Sequence, residues 1–337
     1  METDRSYTSE IIRVEGDANC ALQAVGLGAE TDSVLIVSET VHALHSSVLD
    51  EYYRGTHEIF VLPGGEERKN LSAVEAVATW LGGVGLDRGG CVIAVGGGVL
   101  LDIVGLAASL YRRGTRLVKV GTTLLAQCDA SIGAKCAVNL GPHKNLLGAF
   151  HAPIGSLIDQ RFLSTLGDEQ VRVGLAEIAK LAIIRDRDLF EMLEDRSGAL
   201  YDDIVNQSRP ASAIIDRAVS SMAAELQPNL YERNLKRSVD FGHSLSPKLE
   251  AATAYKLLHG DAVAIDMMCM SIESRRQGLL SERNLDRIVA LYGALGLPAE
   301  HPLLDDPGFI VSALRDTAKH RGGNLHLPMP IDIGSHT

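Results

Sequence analysis

"CVIAVGGGVLLDIVGLAASLY" occupies Cys91–Tyr111. Residues 91–95 are apolar at every position, which reads as a strand buried on both faces, as in a parallel sheet. Gly96, Gly97 and Gly98 follow at once and lead into an apolar stretch of helical spacing. Glycines at a strand–helix turn let the backbone approach a pyrophosphate, with the N–H groups of the helix N-terminus facing the anion. Such turns also use glycine for steric reasons alone, and the spacing is not GxGxxG. Nucleotide binding and plain turn geometry both remain open at this point.

Similar units flank this one. "SVLIV" (33–37), "EIFVL" (58–62) and "RLVKV" (116–120) read as further buried strands, and "TVHALHSSVLDEYY" and "SAVEAVATWLGGVG" between them carry helical spacing. Strand alternating with helix predicts a doubly wound, Rossmann-like α/β domain with a parallel sheet. Past about residue 159 the pattern changes. "DEQVRVGLAEIAKLAII", "RDLFEMLED", "SAIIDRAVSSMAAEL", "DAVAIDMMCMSIESRRQ" and "RNLDRIVALYGAL" are all helix-period segments. The expected organisation is an α/β domain over 1–160 and a mainly α-helical domain over 161–337, with "LHLPMPIDIG" as a short strand near the end.

At 337 residues, 46% hydrophobic and 22% charged, the chain has the composition of a globular protein and the length for two domains. No apolar run approaches the roughly 18 residues that span a bilayer, and the polar start METDRSYTSE is not a secretory signal. Five scattered cysteines without a CxxC point to reduced thiols and a cytoplasmic protein. The formal charge of -11 argues against nucleic acid and anionic membranes as partners. One window runs against it: from Tyr111 to Phe150 there are six basic residues and a single acid, Asp129. That window is either a site for a small anion or a solvated basic face.

Other strand ends carry residues suited to the same crevice: Glu66 and Lys69 in "PGGEERKN", and Thr122 and Thr123 after the strand at 116–120. In the second half, His243 and His259 each stand beside a glycine, and Glu177 lies in an apolar helical segment with Lys180 three residues on. Two imidazoles and a carboxylate make a catalytic zinc-type ligand set. From spacing alone, structural histidines and an i,i+3 ion pair are the simpler account of the same residues.

Taken together, "PGGEERKN", "GGGVLLDIVGLAASLYRRG", "TTLLAQCDASIGAKCAVN", "HKNLLGAF", "GLAEIAK" and "FGHSLSP…LLHGDAVAI" resemble the sugar phosphate cyclase family, dehydroquinate synthase among its members. The blocks stand in family order over residues 60 to 270. The resemblance implies Zn²⁺ or Co²⁺ on Glu177, His243 and His259. It implies NAD held by Glu66, Lys69, Gly96, Gly97, Gly98, Asp102, Thr122 and Thr123, with Asp129, Lys135 and Lys144 close to both cofactor and substrate. Asn145, Lys180, Asp240 and one of Lys319, His320 and Arg321 belong to the implied catalytic set, with Lys319 as the residue chosen. Arg113 corresponds to an arginine that reaches the neighbouring subunit's phosphate site, which implies a homodimer. At the family's usual ribose-binding acid stands Ser38, with Glu39 next to it. The implied chemistry is transient oxidation by NAD, β-elimination of phosphate, reduction, ring opening and aldol closure of a carbocycle, with NAD regenerated.

Departures from dehydroquinate synthase narrow the substrate. Met222 stands for a carboxylate-binding lysine, Asp240 for an asparagine and Pro247 for a histidine, and the arginine position falls on Lys236 or Arg237. An acid and a thioether do not bind a carboxylate. With "QPNLYE" and "GHSLSP", these changes resemble the sedoheptulose 7-phosphate cyclases, whose substrate has a hydroxymethyl group there. The 2-epi-5-epi-valiolone synthases are the nearest likeness, although Cys136, Ala137 and Leu146 depart from their substrate loop. Other readings are a 3-dehydroquinate or 2-deoxy-scyllo-inosose synthase, a metal-dependent polyol dehydrogenase of the glycerol dehydrogenase type, and a non-catalytic sugar-binding relative.

Overall fold

The structure, a computed structural model, describes residues 8–337 apart from 29, 55, 57 and 142, and the backbone but not the side chain of residue 320. The chain forms two compact units that divide between Leu166 and Gly167.

The first unit is built on strands β1 (Glu10–Arg13), β2 (Ser33–Ser38), β3 (Glu58–Leu62), β4 (Cys91–Gly96), β5 (Arg116–Gly121) and β8 (Gly155–Ile158), interleaved with helices α1 (Ala18–Ala24), α2 (Glu39–Leu44), α3 (Ser46–Tyr53), α4 (Leu71–Gly83) and α5 (Gly98–Leu110). The strands form one parallel sheet in the order β1-β8-β5-β4-β2-β3. Alternate residues feed two cores. Val34, Ile36, Val92 and Ala94 pack with residues of α4 and α5, whereas Leu35, Val37, Ile93 and Val95 pack with Leu22 and Leu49 from the helices of the other face. Burial on both faces is why these strands read as unbroken apolar runs. The chain leaves β2 for β3 on one side and returns to β4 on the other, so a topological switch point lies beside the end of β4, where ligands bind in open α/β sheets.

Strands β6 (Lys135–Leu140) and β7 (His143–Phe150) form a separate antiparallel hairpin, which occupies much of the basic window. A 3-10 turn over Gln160–Thr165 still belongs to this unit: Phe162 is part of its core, and Arg161 bridges Asp159 and Glu51.

The second unit is helical: α6 (Asp168–Ile184), α7 (Arg187–Arg196), α8 (Leu200–Val205), α9 (Arg209–Leu226), α10 (Ser246–Ala252), α11 (His259–Arg276), α12 (Glu282–Leu295) and α13 (Pro307–His320), followed by a β9–β10 hairpin (Pro330–Asp332, Ser335–His336). Helices α6 and α11 are its centre, and α6 is buried without a break from Gly174 to Ile184. Glycine permits their approach: a Cβ on Gly260 would lie 2.5 Å from the Val173 carbonyl oxygen and 2.6 Å from its Cα. No helix among the described residues is long and apolar enough to cross a membrane.

Candidate active site: a cofactor cradle and a metal-ligand cluster

In the first unit, β4 ends at Gly96 and α5 begins at Gly98, with Gly97 as an N-cap that offers no side chain to the first-turn N–H groups. Gly97 has φ -74°, so the backbone itself does not demand glycine there. A Cβ on Gly97 would meet Thr123 at 3.4 Å, and one on Gly98 would meet Ala130 at 3.6 Å, ordinary contact distances. What these glycines leave open is the approach to a helix N-terminus thirteen residues long, which suits a pyrophosphate.

Around that turn the structure gathers the side chains expected for NAD within the same unit. Lys69, 5% exposed, pairs with Asp102 at 2.5 Å and donates to Asn145 Oδ1 at 2.7 Å. Asn139 donates from Nδ2 to Glu66 at 2.9 Å, and its Oδ1 accepts the Asn145 N–H at 2.9 Å. Asn145 has φ +53°, a left-handed conformation that asparagine tolerates better than most residues. Asn139 sits where the β6–β7 register shifts, which frees its backbone N–H for the Lys69 carbonyl at 2.8 Å. Asn139, which ties Glu66 to Asn145, has no spacing signature in the sequence.

Thr122 is buried, and its N–H donates to the Gly96 carbonyl at 3.0 Å; Thr123 Oγ1 accepts the Ala126 N–H at 3.1 Å. Asp129 lies in a π-helical turn, Ala126–Ala130, a distortion often found at functional sites. Lys119 supports that turn from beneath: fully buried in β5, its ammonium donates to the carbonyls of Ala130 (3.2 Å) and Gly133 (2.9 Å). Lys135 opens β6 and Lys144 is the second residue of β7, with Asn145 following it. Arg113 is exposed at the end of a turn in which both Arg112 (φ +49°) and Arg113 (φ +67°) are left-handed. Two adjacent arginines held in that conformation are the kind of strain that marks functional segments.

In the second unit Glu177 stands on α6, His259 opens α11, and His243 sits in the loop before α10. Gly242, at φ +79°, makes the turn that presents His243, and a Cβ there would strike Met267 Cγ at 2.7 Å. Val173, which Gly260 touches, is one helical turn before Glu177, so the α6–α11 approach sets the spacing between Glu177 and His259. Glu177 Oε1 lies 3.4 Å from His259 Nε2 and 3.8 Å from His243 Nε2. Ligand atoms of the three residues fall within 4.8 Å of one another. Donors around a tetrahedral zinc at about 2.0–2.1 Å stand about 3.3 Å apart.

The chemistry of this set fits a divalent cation. Glu177 is fully buried, yet neither of its oxygens accepts a hydrogen bond of normal geometry. Lys180 forms an ion pair with Oε2, so the i,i+3 pair is present and leaves Oε1 to the imidazoles. Burial opposes charge on Glu177, but Lys180 and the two histidines outweigh it and hold the carboxyl well below its usual range. Burial and Lys180 push His243 down to about 3. For His259 burial is outweighed by Glu177 and Glu250, which raise its value to about 9.

Asp240, three residues before His243, is held by arginines. Arg237 binds both of its oxygens (2.5 and 3.3 Å) and also pairs with Glu232. Arg321 comes within 3.5 Å of Asp240 and donates to the His243 carbonyl at 3.4 Å. Arg237, left open against Lys236, is thus one of two guanidinium groups beside Asp240. Of the C-terminal trio, the side chain of His320 lies outside the described residues. Lys319 is 77% exposed and pairs with Asp316, so it turns outward, whereas Arg321 is buried beside Asp240. Met222 is buried in α9. Pro247 stands in the first turn of α10, but Ser246 is not its side-chain cap: its hydroxyl donates to the Gly242 carbonyl. Asp266 of α11 replaces it, accepting the N–H groups of Ser244, Leu245 and Ser246 at 2.5–2.9 Å.

Comparison with known proteins shows the family and fold to which the chain is similar. Residues 59–173 match the family model for the 3-dehydroquinate synthase N-terminal domain, and residues 174–319 that for its C-terminal domain. A 2-epi-5-epi-valiolone synthase from an Actinomyces species is 38% identical, over 99% of this chain and 91% of its own. A solved structure of ValA, the 2-epi-5-epi-valiolone synthase of Streptomyces hygroscopicus subsp. jinggangensis 5008 with NAD⁺ and Zn²⁺ bound, superposes with a TM-score of 0.91 at 40% identity, covering 100% of this chain and 93% of that one. A 2-deoxy-scyllo-inosose synthase complexed with carbaglucose-6-phosphate, NAD⁺ and Co²⁺ superposes at 0.82 with 25% identity, covering 99% and 92%.

Proposed function

The chain belongs to the 3-dehydroquinate synthase family of sugar phosphate cyclases, and on that premise we propose that it converts sedoheptulose 7-phosphate into 2-epi-5-epi-valiolone with release of phosphate. The observation that carries the choice of substrate is the state of Asp240. Its carboxylate takes Arg237 by both oxygens, and Glu232 takes what remains of that guanidinium. A substrate carboxylate would have to displace a buried internal one. A hydroxymethyl group makes no such demand, and Met222 in place of a lysine points the same way.

The residues fit NAD and a divalent metal. When bound, NAD accepts and returns one hydride, and the metal polarises neighbouring hydroxyls and acidifies the one being oxidised. In this reading the N-terminus of α5 holds the pyrophosphate, while Glu66, Lys69 and Asp102 position the rest of the nucleotide. Lys135, Lys144 and Asn145 bind the phosphate and hydroxyls of the sugar. The hydrogen bond from Lys69 to Asn145 Oδ1 supports this by fixing the orientation of the amide. Asp129 accepts from a ring hydroxyl, and a phosphate oxygen takes the proton lost in β-elimination. The enzyme acts as a homodimer in which Arg113 supplies a cation to the neighbouring phosphate site.

The test is turnover of purified protein with sedoheptulose 7-phosphate, NAD⁺ and Zn²⁺ or Co²⁺. One inorganic phosphate per substrate, no net NADH, and the NMR spectrum of 2-epi-5-epi-valiolone are expected. Steady NADH accumulation with a polyol and no phosphate release would overturn the assignment.

A further inference from the structure

Glu250 has no place in the ligand set or among the expected substrate contacts, yet it is a carboxylate only 4% exposed. Its Oε1 lies 3.0 Å from His259 Nδ1, while the other ring nitrogen of His259 faces Glu177 at 3.4 Å. The two imidazoles are therefore supported differently. His243 Nδ1 donates to a neutral partner, the Phe241 carbonyl, at 3.2 Å. From these contacts we propose that Glu250 is the positioning residue of the metal centre. It orients His259, fixes the proton on Nδ1, and makes Nε2 the more strongly donating of the two imidazole ligands. The inference rests on reading Glu177, His243 and His259 as metal ligands.

Three features hold Glu250 for this task. Its helix, α10, is tied at its start to α11 by Asp266, whose Oδ2 takes three consecutive backbone N–H groups. Leu249, the neighbour of Glu250, packs into a small apolar cluster with Ala262 and Ile265 of α11. The connection to His259 is closed by the Tyr255 N–H on the Glu250 carbonyl at 2.8 Å. Glu250 and His259 thus sit on two helices tied to one another, the short α10 and the long α11, so the contact does not depend on a mobile loop. A carboxylate behind a ligating imidazole raises the basicity of the far nitrogen, and losing such a partner weakens metal affinity by roughly 10- to 100-fold.

The experiment measures Zn²⁺ dissociation constants of metal-free protein by competition with a chromophoric chelator, for wild type, Glu250→Gln and Glu250→Ala, with melting of each metal-free protein alongside. Glutamine can still accept from Nδ1 without the charge, so about 10-fold weakening is expected for it and up to about 100-fold for alanine. Co²⁺-loaded variants should also shift their visible ligand-field bands. Affinity within twofold of wild type in both variants overturns the proposal, as does a fall in melting temperature with unchanged affinity and spectrum. Wild-type protein that binds no Zn²⁺ overturns the metal reading itself and this inference with it.

Discussion

Replacing Gly260 by alanine adds one methyl at the closest point between α6 and α11. The new Cβ would lie 2.5, 2.6 and 2.9 Å from the carbonyl oxygen, Cα and carbonyl carbon of Val173. Carbon atoms rest about 3.5–4.0 Å apart at their optimum, so relief requires about 1 Å of separation. The obstacle is helix backbone, which cannot rotate aside. His259 is the adjoining residue and Glu177 lies one turn beyond Val173, so the strain falls on the 3.4 Å gap between those two ligands. Opening it by about 1 Å exceeds the roughly 0.2 Å tolerance of metal–ligand bonds several times over. Overpacking costs about 1–3 kcal/mol, so Gly260→Ala should fold with a lowered melting temperature. Zn²⁺ affinity should fall at least 100-fold, while NAD⁺ binding, measured by fluorescence titration, stays near wild type. Wild-type Zn²⁺ affinity in a folded Gly260→Ala protein would refute the claim that this helix contact sets the metal geometry.

Other expectations follow from the charges and glycines of the two units. His259 is protonated up to about pH 9 in metal-free protein and His243 only below about 3. Zn²⁺ uptake at pH 7 should therefore expel close to one proton, and affinity should rise about tenfold per pH unit toward 9; calorimetry in buffers of different ionisation enthalpy reads this, and no proton release would contradict it. Because the folded value of His259 is raised above 6.5, its contribution to metal-free stability is full below pH 6.5 and disappears as pH climbs through about 9. Gly97→Ala meets only Thr123 at 3.4 Å, so its melting temperature should stay close to wild type while NAD⁺ affinity drops at least tenfold. Unchanged NAD⁺ affinity would remove the cradle from the site. Pro247→His should yield no dehydroquinate from that enzyme's phosphorylated substrate, because Asp240 still holds Arg237. Detectable product by NMR would undo the substrate argument.

The strands β2 to β5 were legible to within a residue: β2 and β4 are buried on both faces, the edge strand β3 keeps its apolar run although Ile59 and Val61 are exposed, and only the buried Lys119 interrupts β5. Strand β8, though second from the edge, spans only Gly155–Ile158 and follows a proline, too short for any periodicity to show. The β6–β7 hairpin was hidden for another reason: its residues are charged, small or half-exposed, and the basic character of the window dominated its reading. Helices α6, α7, α9, α11 and α12 announced themselves by spacing, whereas α10 is seven residues long and its start is secured by Asp266 from another helix. The ligand residues could be nominated from residue type and family likeness. Glu250, Asn139 and the burial of Arg321 beside Asp240 could not, since each depends on where a side chain points after packing.

The position of β8 between β1 and β5 has a consequence for biogenesis. Glu10 lies opposite Gly155, so β1 has no neighbour in the sheet until the last strand of the unit leaves the ribosome. Strands β2 to β5 can assemble first, leaving the β5 edge unpaired and β1 waiting as an unattached segment. Closing so long a loop is a slow step, and an open edge is exposed to other nascent chains meanwhile. Chains stalled just short of residue 155 should be captured by chaperones and clipped by protease within β1, and release past residue 166 should protect it.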